Sequence, residues 1–385
     1  MSMVSRKHSG QDLSIFSEMS ALAAKHDAVN LSQGFPDYGT DPLLMKLLTE
    51  GTERNFNQYA PMAGLPMLLE NLVEFNRNRE IPLNVDTQNI TVAPGASYAI
   101  YIALATILKF GDEVIVLQPA YDSYVPSIEM NGGVPRFVSL KENFDVDFEA
   151  LKNAVTEKTR AIIVNSPHNP SGKVWRKEDW DQLSDIVKDS NIMIISDEVY
   201  DILTYDKTPF YSAFHHPGLR ERCFSIFSFG KMFHVTGWKV GYVLASDELS
   251  RAYGRVHQYV SFCVNAPAQY ALAKYLEIFD VQQNRKFMQD KRDFFIESFK
   301  GLPLTFTKKS EAGYFQVMKF ENEDALNDKA YAVWLTENAK VAAVPVSAFY
   351  HDAQNTGLLR FCFAKKEETI LSAADYMRRF FETRR

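Results

Sequence analysis

Four short segments gather reactive and polar residues, each directly after a run of β-branched or apolar residues. Residues 90–93 lead into Pro94-Gly95-Ala96-Ser97, a glycine turn opening a helix-period segment, whose free N–H groups suit an anion. Residues 161–165 lead into Ser166-Pro167-His168-Asn169-Pro170-Ser171-Gly172, which sets an asparagine amide in a proline-rich turn. Residues 192–196 lead into Asp197-Glu198-Val199-Tyr200, a carboxylate and a phenol at one strand end. Residues 224–228 lead into Phe229-Gly230-Lys231, a lysine on a glycine-bearing turn. Open α/β sheets bind ligands outside the carboxyl ends of their strands, so these four turns are where chemistry is expected.

An anion cradle, a carboxylate, a phenol, an amide and a lysine together match the needs of pyridoxal 5'-phosphate. Its aldehyde takes a lysine, its pyridine nitrogen a carboxylate, its ring oxygen hydrogen-bond donors and its phosphate an anion site. Other cofactors fit worse. A P-loop needs GxxxxGK[ST], but Ser225 stands at the first glycine position and Met232 follows Lys231. No GxGxxG occurs, which counts against a dinucleotide.

The elements that must position these residues follow from hydropathy. Short apolar runs at 90–93, 113–117, 134–138, 161–165, 192–196, 224–228 and 240–245 alternate with helix-period segments such as 177–188, where Trp180, Leu183 and Val187 share a face. Unbroken runs predict strands covered on both sides, and strand–helix alternation predicts an α/β fold with a mostly parallel sheet sandwiched by helices. After residue 247 the texture changes. Helices are predicted at 248–258, 266–278, 284–300 and 325–338, strands at 315–318, 341–346 and 358–363, and a last helix carrying Ile370, Ala374, Met377 and Phe381. This reads as a smaller α+β domain. The expected division is an N-terminal arm, 1–40, packing with the small domain, a large cofactor-binding domain, 41–280, and the small domain, 281–385.

The 385 residues carry 42 Lys and Arg against 48 Asp and Glu, a formal charge of −6, and no dense basic run, so nucleic acid is not an expected partner. The longest nearly apolar run, 98–108, falls short of the roughly 20 residues that span a bilayer. The basic N-terminus has no apolar stretch behind it, and the cytosol is the expected compartment. Three cysteines without CxxC spacing, and histidines without HExxH spacing, argue against a metal site.

The segment Ser228-Phe229-Gly230-Lys231-Met232-Phe233-His234-Val235-Thr236-Gly237-Trp238-Lys239-Val240-Gly241-Tyr242 resembles the cofactor-lysine segment of the class I/II aminotransferases of fold type I. LSQGFPDY (31–38), NQYAPMAG (57–64), APGAS (93–97), PAYDSY (119–124), NSPHNPSG (165–172), SDEVY (196–200) and LLRFCFAKKE (358–367) fall in that family's order. The resemblance spans nearly the whole chain and is strongest to the methionine aminotransferase and kynurenine/glutamine-K transaminase branch. It implies a ping-pong transamination of a neutral amino acid (methionine, aromatic, glutamine or kynurenine) with a 2-oxo acid.

By that resemblance Lys231 binds the cofactor and shuttles the proton, Asp197 pairs with the ring nitrogen, and Tyr200 and Asn169 bond the ring oxygen. Gly95, Ala96, Ser97, Ser228 and Lys239 hold the phosphate, and Tyr121 stacks on the ring. Arg360 grips the substrate carboxylate with Asn169 and Gly34, while Phe16 and Phe262 line the side-chain pocket. Tyr59 is expected to reach the phosphate of a neighbouring subunit, making a homodimer. Two positions depart from the wider family, Gly230 for a serine and Lys239 for an arginine. Lysine is a point charge where arginine is a fork, so one bidentate phosphate contact is lost. Two alternatives stand beside this reading. One is a cofactor-dependent cysteine-conjugate β-lyase. The other is an α/β-hydrolase using Ser97, since Gly95-Ala96-Ser97-Tyr98-Ala99 approaches GxSxG without its last glycine.

Overall fold

The computed structural model describes residues 13–321 and 326–383. A two-residue strand, β1 (Val29–Asn30), lies apart from the main sheet. The main sheet takes β2 (Ile90–Ala93), β3 (Glu113–Gln118), β4 (Val134–Ser139), β5 (Thr159–Asn165), β6 (Met193–Asp197), β7 (Cys223–Ser228) and β8 (Gly241–Leu244) in the order β2-β8-β7-β6-β5-β3-β4. Its β4-β3-β5-β6-β7 part is parallel, and only β8 runs against its neighbours.

Every residue of β2, β3 and β6 is buried, as both-face coverage requires. Successive side chains point to opposite faces, so one strand feeds two cores. Val114 and Val116 join Ile163 and Ile195 beneath the helices Ala96–Ile107 and Asp247–Val260. Ile115 and Leu117 join Ile162, Val164 and Ile194 beneath the helix Lys177–Val187, with Trp180, Leu183 and Val187 inward. The run 134–138 departs from the expected continuous burial: β4 is a sheet edge whose residues alternate between exposed and covered. Pro135 and Arg136 suit such an edge, where Arg136 reaches Glu113 on β3 at 2.6 Å.

A second sheet, ordered β12-β13-β10-β9, comprises β9 (Leu304–Phe306), β10 (Phe315–Phe320), β12 (Val344–Pro345) and β13 (Leu358–Cys362). The predicted strand 341–346 is two pieces. β11 (Val341–Ala342) pairs in parallel with β1, and after Ala343 the chain turns into β12. The predicted helix 325–338 is Asp328–Asn338, its first residue, 325, lying outside the described residues. Asp280 caps the long helix Val281–Ser298 by accepting from the amides of Gln282 and Gln283. Among the described residues, no helix is long and apolar enough to cross a membrane.

Candidate active site

The carboxyl ends of β5, β6 and β7 and the turn after β2 open into one cavity of about 460 Å³. Gly95, Ala96, Ser97, Tyr121, Asn169, Asp197, Tyr200, Ser228, Lys231 and Lys239 line it, joined from other elements by Gly34, Phe16 and Arg360. Residues from 16 to 360 thus meet in one place.

At the end of β7 a one-turn helix, Phe229–Met232, presents Lys231. Its ammonium donates to the Gly34 carbonyl at 2.9 Å and stands 5.7 Å from the Tyr200 ring centroid. Burial pushes this amine down to about 8, with the charges of Arg360 and Lys239 adding to the fall. Gly230 is explained by close approach. A Cβ there would come within 2.9 Å of the Thr236 backbone, so a serine is excluded without movement of that turn.

Asp197 is 5% exposed, and burial raises its carboxyl to about 6. Tyr124 Oη donates to its Oδ2 at 2.6 Å and the Val199 amide to its Oδ1 at 3.4 Å, both favouring the ionised form. Asn165 Nδ2 donates to the Asp197 carbonyl, and Asn165 Oδ1 accepts from the Asn169 amide, so the ends of β5 and β6 hold each other.

Gly95, at φ 85°, begins the helix Ala96–Ile107 without a side-chain cap. A Cβ there would lie 3.2 Å from Lys239 Nζ, so the glycine keeps open a hollow between the lysine and the helix start. A helix N-terminus offering free amides beside an ammonium is an anion cradle.

Arg360, in β13, is 1% exposed. Its Nη1 donates to Asn169 Oδ1 at 3.0 Å and its Nη2 to the Ser32 carbonyl at 2.7 Å, while Nε has no partner. The guanidinium packs on Phe315 at 3.9 Å, Phe16 at 5.0 Å and Phe349 at 5.3 Å from their centroids. No carboxylate of the described residues makes an ion pair with it, and burial lowers it to about 10. The Asp122 carboxylate acts on it only from beyond ion-pair distance, so burial of this cation stays costly, and a ligand carboxylate in direct contact offsets that cost.

Tyr59 and Phe262 do not line this cavity. Tyr59 is 85% exposed and Phe262 43% exposed, and their rings meet edge to face at 5.5 Å. Within its own chain Phe262 therefore forms no part of the side-chain pocket. The walls that sequence reasoning missed include Gln33, Phe35, Thr236 and Phe315. Tyr124 was missed as well; its only sequence signal is its place in PAYDSY beside Tyr121. Among the described residues no histidine lines the cavity, so a Ser97 triad finds no imidazole there and the hydrolase alternative gains no support from the lining.

The Tyr124 contact is testable. Tyr124→Phe is expected to keep the fold and lower kcat about tenfold, or about 1.4 kcal/mol on the barrier, because Asp197 loses the bond that favours its charged form. An unchanged kcat would show that its other contacts suffice.

The sequence pattern of one family, aminotransferase class I and II, matches residues 26–377. The chain is similar to methionine aminotransferase of Escherichia coli, at 39% identity over 374 residues covering 94% of this chain and 95% of that protein. It is also similar to kynurenine–oxoglutarate transaminase of Dictyostelium discoideum, at 34% identity over 406 residues covering 94% and 93% respectively. The crystal structure of Escherichia coli YbdL, for which a methionine aminotransferase function was identified, matches with a TM-score of 0.94 and 38% identity over 98% of this chain and all of that one.

Proposed function

The chain belongs to the class I and II aminotransferases, and from that premise we propose that it uses pyridoxal 5'-phosphate to move the amino group of a neutral L-amino acid, methionine or an aromatic one, to a 2-oxo acid. The observation that carries this reading is the unpaired, buried Arg360 in one cavity with Lys231 and Asp197. The donor set fits the cofactor. Lys231 would hold its aldehyde carbon, Asp197 its ring nitrogen, Asn169 and Tyr200 its ring oxygen, and Tyr121 its ring face. Gly95, Ala96, Ser97, Ser228 and Lys239 would hold its phosphate. When bound, pyridoxal phosphate supplies a carbon that accepts the amino group and a ring that delocalises the electron pair left when the substrate Cα loses its proton.

The chain's own groups do the rest. Arg360 binds the substrate carboxylate through its fork and so orients the Cα–H bond. Asn169 Oδ1 steadies Nη1, which leaves the amide nitrogen of Asn169 available to the cavity. Lys231, with its amine lowered to about 8, is a base of the strength needed to take the Cα proton near neutral pH and return it. Asp197, buried and with the Lys231 ammonium as a charge acting on it from across the cavity, is a carboxylate built to meet a positive charge.

Selectivity follows from the cavity's cations. Among the described residues Lys231, Lys239 and Arg360 are the basic ones in the lining, and the first two face the cofactor's needs. A second substrate carboxylate would enter among Phe16, Phe35 and Phe315 without a guanidinium, at the cost of desolvation. Methionine and phenylalanine are therefore expected to exceed aspartate in kcat/KM by at least tenfold in an assay with several 2-oxo acids. Aspartate outperforming methionine would overturn the substrate reading and leave the cofactor assignment standing.

A homodimer with shared sites completes the proposal. The exposed Tyr59 and Phe262 adjoin exposed Tyr259 and Val260, an apolar area suited to a second copy of this chain. Tyr59 would then serve the phosphate of the neighbouring site. In a hybrid of Tyr59→Phe and Lys231→Ala subunits, the subunit that keeps Lys231 receives an intact Tyr59, so one site of two recovers full activity. Activity no higher than in the Tyr59→Phe homodimer would place Tyr59 in its own chain's site. The comparison is sharp because a charge-assisted hydrogen bond contributes about 1.5–3 kcal/mol.

A further inference from the structure

His234 follows the lysine turn, at φ 59°, and stands between two elements that contribute no catalytic group. Its Nδ1 is 2.8 Å from the hydroxyl of Tyr314, just before β10, and its Nε2 is 2.9 Å from the side-chain amide of Asn284 on the helix Val281–Ser298. The Tyr314 hydroxyl in turn donates to the backbone carbonyl of Lys231 at 2.7 Å.

Counting protons gives this chain a direction. A carbonyl can only accept, so the single phenolic proton of Tyr314 is committed to Lys231, and His234 Nδ1 must donate to the Tyr314 oxygen. A neutral imidazole then has a bare Nε2, which needs a donor. As placed, Asn284 turns its Oδ1 to the ring and leaves its Nδ2 buried without a partner. Rotating the amide by half a turn gives Nδ2 an acceptor and Nε2 a donor at once. A doubly protonated ring would be the other solution. Burial, with Lys291 and Lys231 nearby, lowers His234 to about 4 and opposes it. The remaining neighbours, Tyr38 at 5.5 Å and Phe287 at 6.4 Å between centroids, bring no negative charge.

We propose that Asn284, His234 and Tyr314 form a one-way hydrogen-bond chain ending on the Lys231 carbonyl, and that they are positioning residues for the lysine. The proposal rests on the reading of Lys231 as the cofactor lysine. Lys231 lies in a one-turn helix, whose last carbonyls have no intrahelical donors, so Tyr314 supplies the partner that fixes this peptide. The helix Val281–Ser298 and the approach to β10 thereby set the direction in which the lysine amine leaves the backbone.

The test labels the eight histidines of the full-length protein with ¹⁵N and assigns His234 by its loss in His234→Gln. The wild type is expected to show Nδ1 protonated and Nε2 bare between pH 6 and 8, with and without added pyridoxal phosphate. A protonated Nε2, as the other tautomer or as imidazolium, overturns the proposal. Tyr314→Phe keeps the ring and removes both bonds, and Asn284→Asp keeps the size and removes the donor. Both are expected to lower kcat for methionine about tenfold with KM within about twofold, because Arg360 is untouched, and Asn284→Asp should also place a proton on Nε2. A kcat within twofold in both variants, or a loss confined to KM, overturns it too. A wild type that transaminates nothing counts against the proposed function, and the tautomer then decides the chain by itself.

Discussion

Lys231→Ala is expected to leave a folded protein that still takes up pyridoxal phosphate without covalent attachment and to abolish multiple turnover with any amino acid. The other groups proposed to hold the cofactor remain, but the amine proposed to take and return the Cα proton is gone. Borohydride reduction of the wild-type protein with its cofactor, followed by peptide mapping, should place the pyridoxyl group on Lys231, and a label on another lysine would sink the assignment. The pH dependence has a definite sign. Only the neutral amine attacks the aldehyde, and burial lowers this amine to about 8. Cofactor attachment should therefore accelerate as pH rises and level off above about 8, some two units earlier than for an exposed lysine near 10.4.

Asp197→Asn should move activity and stability in opposite directions. A neutral amide cannot hold the ring nitrogen protonated, so most of kcat should go, on the order of a hundredfold or more, in the range of a removed electrostatic partner. Activity within about twofold of wild type would show that the carboxylate belongs to another task. In the cofactor-free chain the carboxyl is raised from 3.8 to about 6 by burial. A raised acid favours folding while it is protonated. That contribution is fully present below the unfolded value and is lost as pH rises through about 6. The asparagine variant does not ionise. Without cofactor it should exceed the wild type above pH 6 by on the order of 3 kcal/mol, seen in denaturant melts at pH 5 and 7.5. Equal stability at both values would mean that Asp197 titrates normally.

Much of this site was legible because chemistry-bearing residues sit immediately after buried apolar runs. Asp197 closes β6, Lys231 follows β7 by three residues, and Gly95 follows β2 by two. The ends of these unbroken runs then locate strand ends to within a residue or so. Tyr124 was not legible in that way. It starts the helix Tyr124–Met130 like any buried aromatic, and its hydroxyl finds Asp197 only because that helix packs over the sheet. Phe315 likewise reads as a core strand residue, and its ring becomes the floor under Arg360 only when β10 pairs with β13. The helices Pro42–Glu53 and Pro66–Arg77 carried local signals, a proline at the first turn of each and an Asp41 cap on one, that hydropathy runs alone do not register. The division of 341–346 into two strands depends on which partner each half meets, and that is a tertiary choice.

The order in which the cavity's parts leave the ribosome gives β13 a timing role. β13 carries Arg360, pairs with both β10 and β12, and donates the Cys362 amide to the Leu31 carbonyl. The segment around Ser32 and Gly34 precedes the main sheet in the chain, yet the carbonyls of Leu31 and Ser32 meet their donors, the Cys362 amide and Arg360, only when β13 arrives. A nascent chain can close its main sheet, whose strands end at Leu244, and still lack the wall that admits an amino acid. A chain that stops before β13 is thus expected to lack turnover even where Lys231 and Asp197 are in place, and turnover would then report that translation has run past β13.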